Sequence, residues 1–202
     1  MSTPIPISTT NSSSTNRPSS TPPRPPALVR VEGLIGAAKA FIGVPEQGGN
    51  NLGQMVELFL REVGLPAGEP WCAAFVYHVG FWSQFDLDTG TSTWPLPATG
   101  ACQSLADAAR VRGALMERPV RGDLFLLWIP ERGRFAHTGI VVDVTLGTGG
   151  YGCHTIEGNT NDDGSADGWK TGIRYRCFGP GTPHRFIRWT AIDGVVSARE
   201  GA

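Results

Sequence analysis

The sequence predicts an α+β domain in which helices come first and one antiparallel sheet follows them. Helical patterns cover four segments, residues 34–42, 53–63, 70–85 and 102–110. Strand-like segments follow at residues 123–129, 137–145, 153–158, 172–178 and 185–190. Because helices and strands are segregated along the chain, neighbouring strands are expected to pair as antiparallel hairpins rather than through helical crossovers. We expect about five or six strands, with the helices packed on the sheet.

The N-terminal segment, residues 1–26, is predicted to be a disordered or extended arm. It consists almost entirely of Ser, Thr, Pro and Asn, so it lacks the apolar surface that offsets the entropy cost of ordering. It also lacks the apolar run of a signal peptide. We therefore expect one folded domain at residues 27–195 and a flexible tail at residues 196–202. Two roles remain open for the arm: an inert tail, or a tether that docks to a partner.

Composition limits the classes of partner. The 202 residues are 40% hydrophobic, which is enough for a sizeable core, and the formal net charge is −1. A nearly neutral chain is not drawn as a whole to nucleic acid or anionic lipid, and no apolar stretch reaches transmembrane length. We expect no nucleic-acid partner and no membrane insertion. Four arginines near the C-terminus are expected to lie on a solvated sheet face: Arg174, Arg176, Arg185 and Arg188.

The second helix has a clear amphipathic pattern. Met55, Leu58 and Phe59 are spaced to form one apolar stripe, which is typical of a helix that packs on a core. Gly64 follows the pattern and suits a helix end. The glycine-rich residues 43–51 are predicted to form the loop before this helix.

Cys72 lies where the sequence predicts the start of the third helix. Pro70 suits the first helical position because its missing N–H would be unpaired there. The thiol would then lie in the first turn, where unpaired N–H groups and the positive end of the helix dipole favour the thiolate. The apolar residues 73–76 are also compatible with a buried, inert cysteine. Cys72 is therefore a candidate nucleophile if a base lies nearby.

His137 is the histidine best placed to be that base. It opens a run rich in β-branched residues, 137–142, and the apolar residues 124–129 precede it. The two segments are expected to pair as a hairpin across residues 130–134. An imidazole at the mouth of that hairpin can face a helix start that packs on the sheet.

Glu157 and Asn159 are candidates to orient the imidazole. In a regular strand, alternation places these two residues on one face and His154 and Ile156 on the other. Cysteine, histidine and a polar orienting residue, in this chain order, form the papain-like variant of the catalytic triad.

Four sequence blocks resemble those of the CHAP domain, the cysteine- and histidine-dependent amidohydrolase/peptidase. They are residues 70–76 (PWCAAFV), 122–124 (GDL), 136–141 (AHTGIV) and 156–159 (IEGN). Upstream, residues 40–46 and 50–53 resemble the first helix and loop of the subgroup found in phage and bacterial wall-lytic proteins. The resemblance covers about residues 33–190. The sister NlpC/P60 group usually has Asp-Cys-Ser around its nucleophile, a pattern that this sequence lacks.

The resemblance implies a papain-like fold and bacterial peptidoglycan as the substrate. The catalytic residues of the family match Cys72, His137, Glu157 and Asn159. The implied reaction is cleavage of an amide bond, either between muramic acid and L-alanine or within stem or cross-bridge peptides. A wall hydrolase without a signal peptide would reach its substrate through phage lysis, virion delivery or a specialised secretion system.

Several neighbouring residues are candidates for supporting roles. The backbone N–H of Cys72 is expected to donate to the oxyanion, and Gln54 is a guess for a second donor. Trp71, beside the nucleophile, is a candidate substrate contact. Glu46 is a second candidate contact, with the fixing of its own loop as the alternative role.

The other cysteines give no metal-binding spacing, because Cys102, Cys153 and Cys177 lack a C-x-x-C partner. One four-residue metal site can be drawn, from His137, Cys153, His154 and Cys177. It is disfavoured because neighbouring strand residues point to opposite faces. We expect no metal or other cofactor, although the Asn- and Asp-rich residues 159–167 are compatible with calcium. A disulfide among the three cysteines is left open.

Two other classes of function remain open from the sequence. One is a virion or secretion-apparatus structural protein that uses a CHAP-like domain as a scaffold. The other is an acyltransferase or deamidase toxin that uses the same cysteine and histidine chemistry.

Overall fold

The structure is a computed structural model that describes residues 25–161 and 168–192. The predicted arm lies outside the described residues except at Pro25 and Pro26. Residue 195, where the domain was predicted to end, and the tail at residues 196–202 also lie outside them. So does most of the candidate calcium loop at residues 159–167.

Four helices precede the main sheet: α1 (Ala27–Lys39), α2 (Gln54–Glu62), α3 (Cys72–Ser83) and α4 (Cys102–Val111). The bounds of α2 and α4 agree with the prediction to within about one residue. The prediction for α1 was wrong, because the helix begins at Ala27 rather than at residue 34. It starts directly after Pro26, whose φ of −53° suits a helix entry, since a proline there loses no intrahelical hydrogen bond.

Eight strands are present among the described residues. They are β1 (Phe85–Asp86), β2 (Thr91–Ser92), β3 (Leu115–Met116), β4 (Leu124–Ile129), β5 (Arg134–Gly147), β6 (Gly150–Thr160), β7 (Lys170–Phe178) and β8 (Arg185–Ile187). The sequence did not predict β1, β2 and β3, because two residues are too few to display alternation. The last strand is shorter than predicted, and a 3₁₀ turn at Trp189–Ala191 follows it.

Six of the strands form one antiparallel sheet in the order β3-β8-β4-β5-β6-β7, and β1 pairs with β2 as a separate ribbon. The α+β class and the antiparallel sheet of six strands are thereby confirmed. Strand β5 lies in the middle of the sheet between β4 and β6. It is therefore held by backbone hydrogen bonds on both sides.

Helix α3 is the central helix of the domain. Every residue from Cys72 to Phe81 is buried, as expected for a helix that is apolar on all sides. It contacts α1, α2, β5 and β6, and Phe59 and Phe75 pack edge to face at 5.7 Å between ring centroids. The start of α3 is consequently fixed against the sheet by packing on several sides.

A second, smaller apolar cluster lies on the sheet. Its buried members are Phe125, Val141, Cys153, Phe178 and Phe186. Across the part of the chain that the structure describes, no helix has both the length and the apolar character needed to span a membrane.

Candidate active site

The first residue of α3 is Cys72. Trp71 takes the capping position with φ −117° and ψ 11°, so Pro70 precedes the helix instead of opening it as predicted. The N–H of Phe75 donates to the carbonyl of Trp71 at 2.8 Å, and the N–H groups of the three residues before Phe75 have no acceptor within the helix. Cys72, only 3% exposed as a residue, therefore places its thiol at the positive end of a buried helix.

His137 lies on β5 with its imidazole buried. Its Nε2 forms a hydrogen bond of 2.7 Å with Oε2 of Glu157 on the neighbouring strand β6. Its Nδ1 is buried and has no hydrogen-bond partner of good geometry in the structure, but the imidazole interacts with the Cys72 thiol. One ring nitrogen is thus held by a carboxylate while the thiol acts on the ring as a charge partner.

The interaction between thiol and imidazole favours their charged forms. Cys102, beside Cys72, lowers the pKa of Cys72 most strongly; burial opposes this, and His137 lowers the pKa further, so that it lies well below the usual value. Burial lowers the pKa of His137, but Cys72 and Glu157 outweigh burial and raise it to about 9. These surroundings therefore favour the thiolate and imidazolium forms of the pair over the neutral forms.

Glu157 is fully buried and is held by more than the imidazole. Arg176 on β7 donates to both of its oxygens, and the Thr155 hydroxyl donates to Oε1 at 2.5 Å. Burial raises the pKa of Glu157, but the hydrogen bonds from Arg176 and His137 outweigh it and lower the pKa to about 2. The carboxylate is therefore charged and fixed in orientation beneath His137.

Arg176 was missed because the prediction of a wholly solvated arginine face was wrong. Arg188, another of the four arginines, also pairs with a buried carboxylate, that of Asp123 at 3.0 Å. Along β7 the exposed residues are Ile173, Tyr175 and Cys177, so alternation turns Arg176 toward Glu157. The sequence pattern does not reveal this orientation, because apolar residues such as Ile173 and Tyr175 would be expected on the buried face of the strand.

The regular alternation from which Asn159 was predicted to share the face of Glu157 is interrupted in the structure. The pairing of β6 with β7 is irregular between Glu157 and Thr160, and Asn159 has a positive φ of 53°. Its side-chain oxygen accepts a hydrogen bond of 3.1 Å from the N–H of Gly168. Such a break in register ends the alternation, so Asn159 holds the chain at Gly168 and the imidazole is oriented by Glu157.

Trp71 and Glu46 bind each other. The indole of Trp71 has no exposed area, and its Nε1 donates to Oε1 of Glu46 at 2.8 Å. The backbone N–H of Glu46 in turn donates to the carbonyl of Trp169 at 2.7 Å. A direct contact between Trp71 and a ligand is inconsistent with its burial, so the pair instead ties the loop before α2 to the start of α3.

Cys102 is a site residue that the sequence did not indicate. It is the first residue of α4, as Cys72 is of α3, and the two sulfur atoms lie 3.6 Å apart. The pair is not bonded covalently, and all four cysteines are free. The sequence does carry one usable signal: each of the two cysteines follows a loop and lies at the start of a predicted helix.

Cys72 and Cys102 line one cavity of about 330 Å³. Its apolar walls include Val63, Leu65 and Phe135, and its charged lining comprises Glu69, Arg132 and Arg134. Gln54, the guess for an oxyanion donor, is not among its lining residues. A cavity of about 310 Å³ around Tyr151 and His184 contains none of the residues of the thiol site. The cavity at Cys72 is therefore the candidate substrate groove.

The alternative metal site is not assembled by the fold. Cys153 is buried in the smaller apolar cluster, whereas His154 is exposed and its ring packs beside Tyr175 at 5.0 Å between centroids. Within residues 25–161 and 168–192 no group of three or more His, Cys, Asp or Glu side chains has the arrangement to hold a metal ion.

Comparison with known proteins finds no matching family model, no matching curated protein and no matching solved structure. The functional assignment therefore depends on the residues of the site and their geometry.

Proposed function

We propose that the protein is a peptidoglycan hydrolase of the CHAP type, which cleaves an amide bond through a covalent cysteine intermediate. The observation that carries the proposal is the set of Cys72, His137 and Glu157: a thiol at a buried helix start, an imidazole that interacts with it, and a buried carboxylate on Nε2. These are the parts that acyl transfer by a cysteine requires.

Three of the four blocks that resemble the CHAP domain fall on elements that meet at this site. Residues 70–76 span the start of α3, residues 136–141 lie on β5, and residues 156–159 lie on β6. A central helix whose first residue is the nucleophile, packed on an antiparallel sheet that carries the base, supports a papain-like arrangement. The resemblance and the geometry thus support the same three residues.

The reaction begins when the Cys72 thiolate attacks the amide carbonyl carbon. A C–S bond forms, and the carbonyl oxygen becomes an oxyanion next to the free N–H groups at the start of α3. The imidazolium of His137 gives its proton to the leaving amine as the C–N bond breaks, which leaves a thioester. The neutral imidazole then takes a proton from water, hydroxide attacks the thioester, and the C–S bond breaks to release the acid and regenerate the thiolate.

Glu157 keeps the imidazole in the required orientation throughout this cycle. Its bond to Nε2 leaves Nδ1 as the nitrogen that exchanges the proton. Arg176 neutralises the carboxylate and keeps it from rotating away. Glu157 on β6 and Arg176 on β7 lie on adjacent strands, so both residues that support the base are held by the hydrogen-bonded sheet.

The groove suits a peptide that carries carboxylates. Arg132 lies in the exposed turn between β4 and β5, Arg134 is the exposed first residue of β5, and both line the cavity at Cys72. Guanidinium groups bind carboxylates in paired hydrogen bonds, and the stem peptides of peptidoglycan bear several free carboxylates. Val63, Leu65 and Phe135 provide the apolar surface for the methyl groups of alanine residues. The proposed place of action is accordingly the bacterial cell wall.

The test is digestion of purified bacterial sacculi by the wild-type protein and by the variant Cys72→Ala. We expect clearing by the wild type, with new free amino groups in proportion and no new reducing sugar ends, and no clearing by Cys72→Ala. Masses of the released fragments then distinguish cleavage beside muramic acid from cleavage within the peptides. New reducing ends, or equal clearing by Cys72→Ala, would overturn the proposal. Intact sacculi would favour the scaffold hypothesis instead.

A further inference from the structure

The two thiols at the site lie in matched positions. Cys72 is the first residue of α3 and Cys102 the first residue of α4. Their sulfur atoms are 3.6 Å apart, and the two residues are 3% and 4% exposed. This is the distance of an S–H···S hydrogen bond rather than of a disulfide. A cysteine protease needs only one thiol, so the second one requires an explanation.

The surroundings of the two sulfur atoms are unequal. The Cys72 sulfur interacts with the imidazole of His137 and with the backbone at Thr138. Arg134, the exposed first residue of β5, is the positively charged side chain that acts on Cys102. Either sulfur could donate at this distance, and these surroundings favour the negative charge on Cys72 and the proton on Cys102.

We propose that Cys102 is a positioning residue that donates its S–H to the Cys72 thiolate and so holds the nucleophile both charged and aimed into the groove. This rests on the proposed function, because it assigns Cys102 a part in the same acyl transfer. The fold supports the assignment independently, since Cys102 lines the groove beside Cys72 and no cysteine other than these two does so.

The pKa directions agree with this division of roles. The proximity of Cys72, together with burial, holds the pKa of Cys102 well above its usual value, whereas Cys102 is the largest influence that lowers the pKa of Cys72. A donor that stays protonated over the working pH range can serve in every turnover. Hydrogen bonds to charged groups are stronger than those between neutral groups, so the loss of this donor has a measurable effect on ionisation.

The experiment measures ionisation of Cys72 in the full chain without substrate. The protein is kept in reductant, and the reductant is removed just before labelling. The rate of carbamidomethylation of Cys72 by iodoacetamide is followed against pH by peptide mass spectrometry, with thiolate ultraviolet absorbance as a second measurement. The variants are Cys102→Ala, which removes the donor, and Cys102→Ser, which keeps one. Cys153→Ala, buried in the separate apolar cluster, is the matched control for loss of a buried thiol.

We expect Cys102→Ala to slow the labelling of Cys72 about tenfold on the acid side of the profile, because a hydrogen bond to the thiolate is lost. The whole profile is expected to move to higher pH. Cys102→Ser is expected to restore most of the wild-type profile, and Cys153→Ala to leave it unchanged. An unshifted profile in Cys102→Ala would overturn the assignment. An equal shift in Cys102→Ala and Cys102→Ser would assign the effect to packing and overturn it as well.

Failure of this inference is distinguishable from failure of the proposed function. The labelling profile requires no peptidoglycan, so it tests the thiol pair alone. If Cys72 is labelled in Cys102→Ala with the wild-type pH profile while sacculi are still cleared, the hydrolase proposal stands and the proposed role of Cys102 is rejected. If the profile shifts as expected but no sacculus is cleaved, the thiol pair stands and the substrate assignment falls.

Discussion

Two buried histidines of this protein each bind a glutamate, and only one of the two pairs has the surroundings of a catalytic pair. His137 bonds Glu157 at 2.7 Å, and His78 in the middle of α3 bonds Glu62 at 2.8 Å. Both histidines are less than about a tenth exposed. The distances alone therefore do not distinguish a base from a structural residue.

The difference lies in what else each pair contacts. The ring of His78 packs among aromatic side chains, with Phe59 at 4.8 Å between centroids, and Glu62 also accepts a hydrogen bond from the Trp82 indole at 3.0 Å. The ring of His137 interacts with a thiol, and its glutamate is paired with Arg176. A histidine–glutamate pair can act as a catalytic base when a nucleophile lies within reach of the ring, and of these two pairs it is His137–Glu157 that interacts with a thiol.

The largest expected effect is the contrast between the variants His137→Ala and His78→Ala. Loss of the base is expected to lower kcat/KM for muropeptide cleavage roughly 10²- to 10⁴-fold, while His78→Ala retains activity per folded molecule and lowers Tm because Glu62 loses a partner. Turnover assays and thermal unfolding by circular dichroism measure both. An active His137→Ala protein beside an inactive, folded His78→Ala protein would reverse the assignment.

A smaller effect is expected from the glutamates. Glu157→Gln is expected to reduce kcat/KM roughly 10²-fold, because glutamine holds the ring poorly and no longer stabilises its positive charge. The variant is assayed well below its Tm, since Arg176 is left without its carboxylate and stability falls. Glu62→Gln is the matched control and is expected to leave kcat/KM within about twofold. Equal losses in the two variants would show that neither glutamate has a special part.

The pH dependence of kcat/KM sharpens the comparison further. The pKa of Cys72 lies below its usual value, so the rising limb, where the thiolate forms, is expected below the ordinary range for cysteine. The pKa of His137 is raised to about 9, so activity is expected to fall about tenfold per pH unit only above that pH. The two limbs belong to the coupled pair. A falling limb near about pH 6.5, the ordinary value for histidine, would contradict the ion pair.

Glu157 also determines where the falling limb lies. Because its hydrogen bond raises the pKa of His137, Glu157→Gln is expected to move the falling limb to lower pH, and Glu62→Gln is expected to leave it in place. This displacement separates the loss of charge at the imidazole from a general loss of structure.

The groove arginines are expected to affect binding more than chemistry. The double variant Arg132→Gln, Arg134→Gln is expected to raise KM for muropeptides about three- to tenfold with little change in kcat. Arg121→Gln is the control, because that arginine is exposed but pairs with Glu32 outside the groove. A second measurement uses muropeptides whose carboxylates are amidated. With these substrates the double variant and the wild type are expected to have the same KM.

The smallest effect on activity is expected at Asn159. Asn159→Ala is expected to lower stability by about 1 kcal/mol, through loss of the bond to Gly168 and a positive φ that alanine tolerates poorly. Activity per folded molecule and the pH profile are expected to stay within about twofold of the wild type. His154→Ala, on the exposed side of β6, is the control for both quantities. If the pH profile of Asn159→Ala shifts as that of Glu157→Gln does, Asn159 also orients the imidazole of His137.

The segregation of helices and strands was correctly predicted because each depends on local periodicity. The stripe of Met55, Leu58 and Phe59 gave α2, and the apolar run before His137 gave the hairpin of β4 and β5. The early start of α1 and the three two-residue strands were missed, since a short strand exists only through its partner. The side-chain roles of Trp71 and Glu46 likewise depended on a contact between segments 25 positions apart.

The sequence by itself determined the chemical types at the site and their local settings: a thiol at a helix start, a histidine that opens a strand, and a carboxylate on the next strand. These follow from interactions over a few neighbouring residues, such as capping and alternation. Only the tertiary structure decided that Cys102 lies against Cys72, that Arg176 turns inward to Glu157, and that Asn159 bonds Gly168 at a break in register. The physical reason is that packing between distant elements sets these contacts, and one shift in strand register reverses the direction of a side chain.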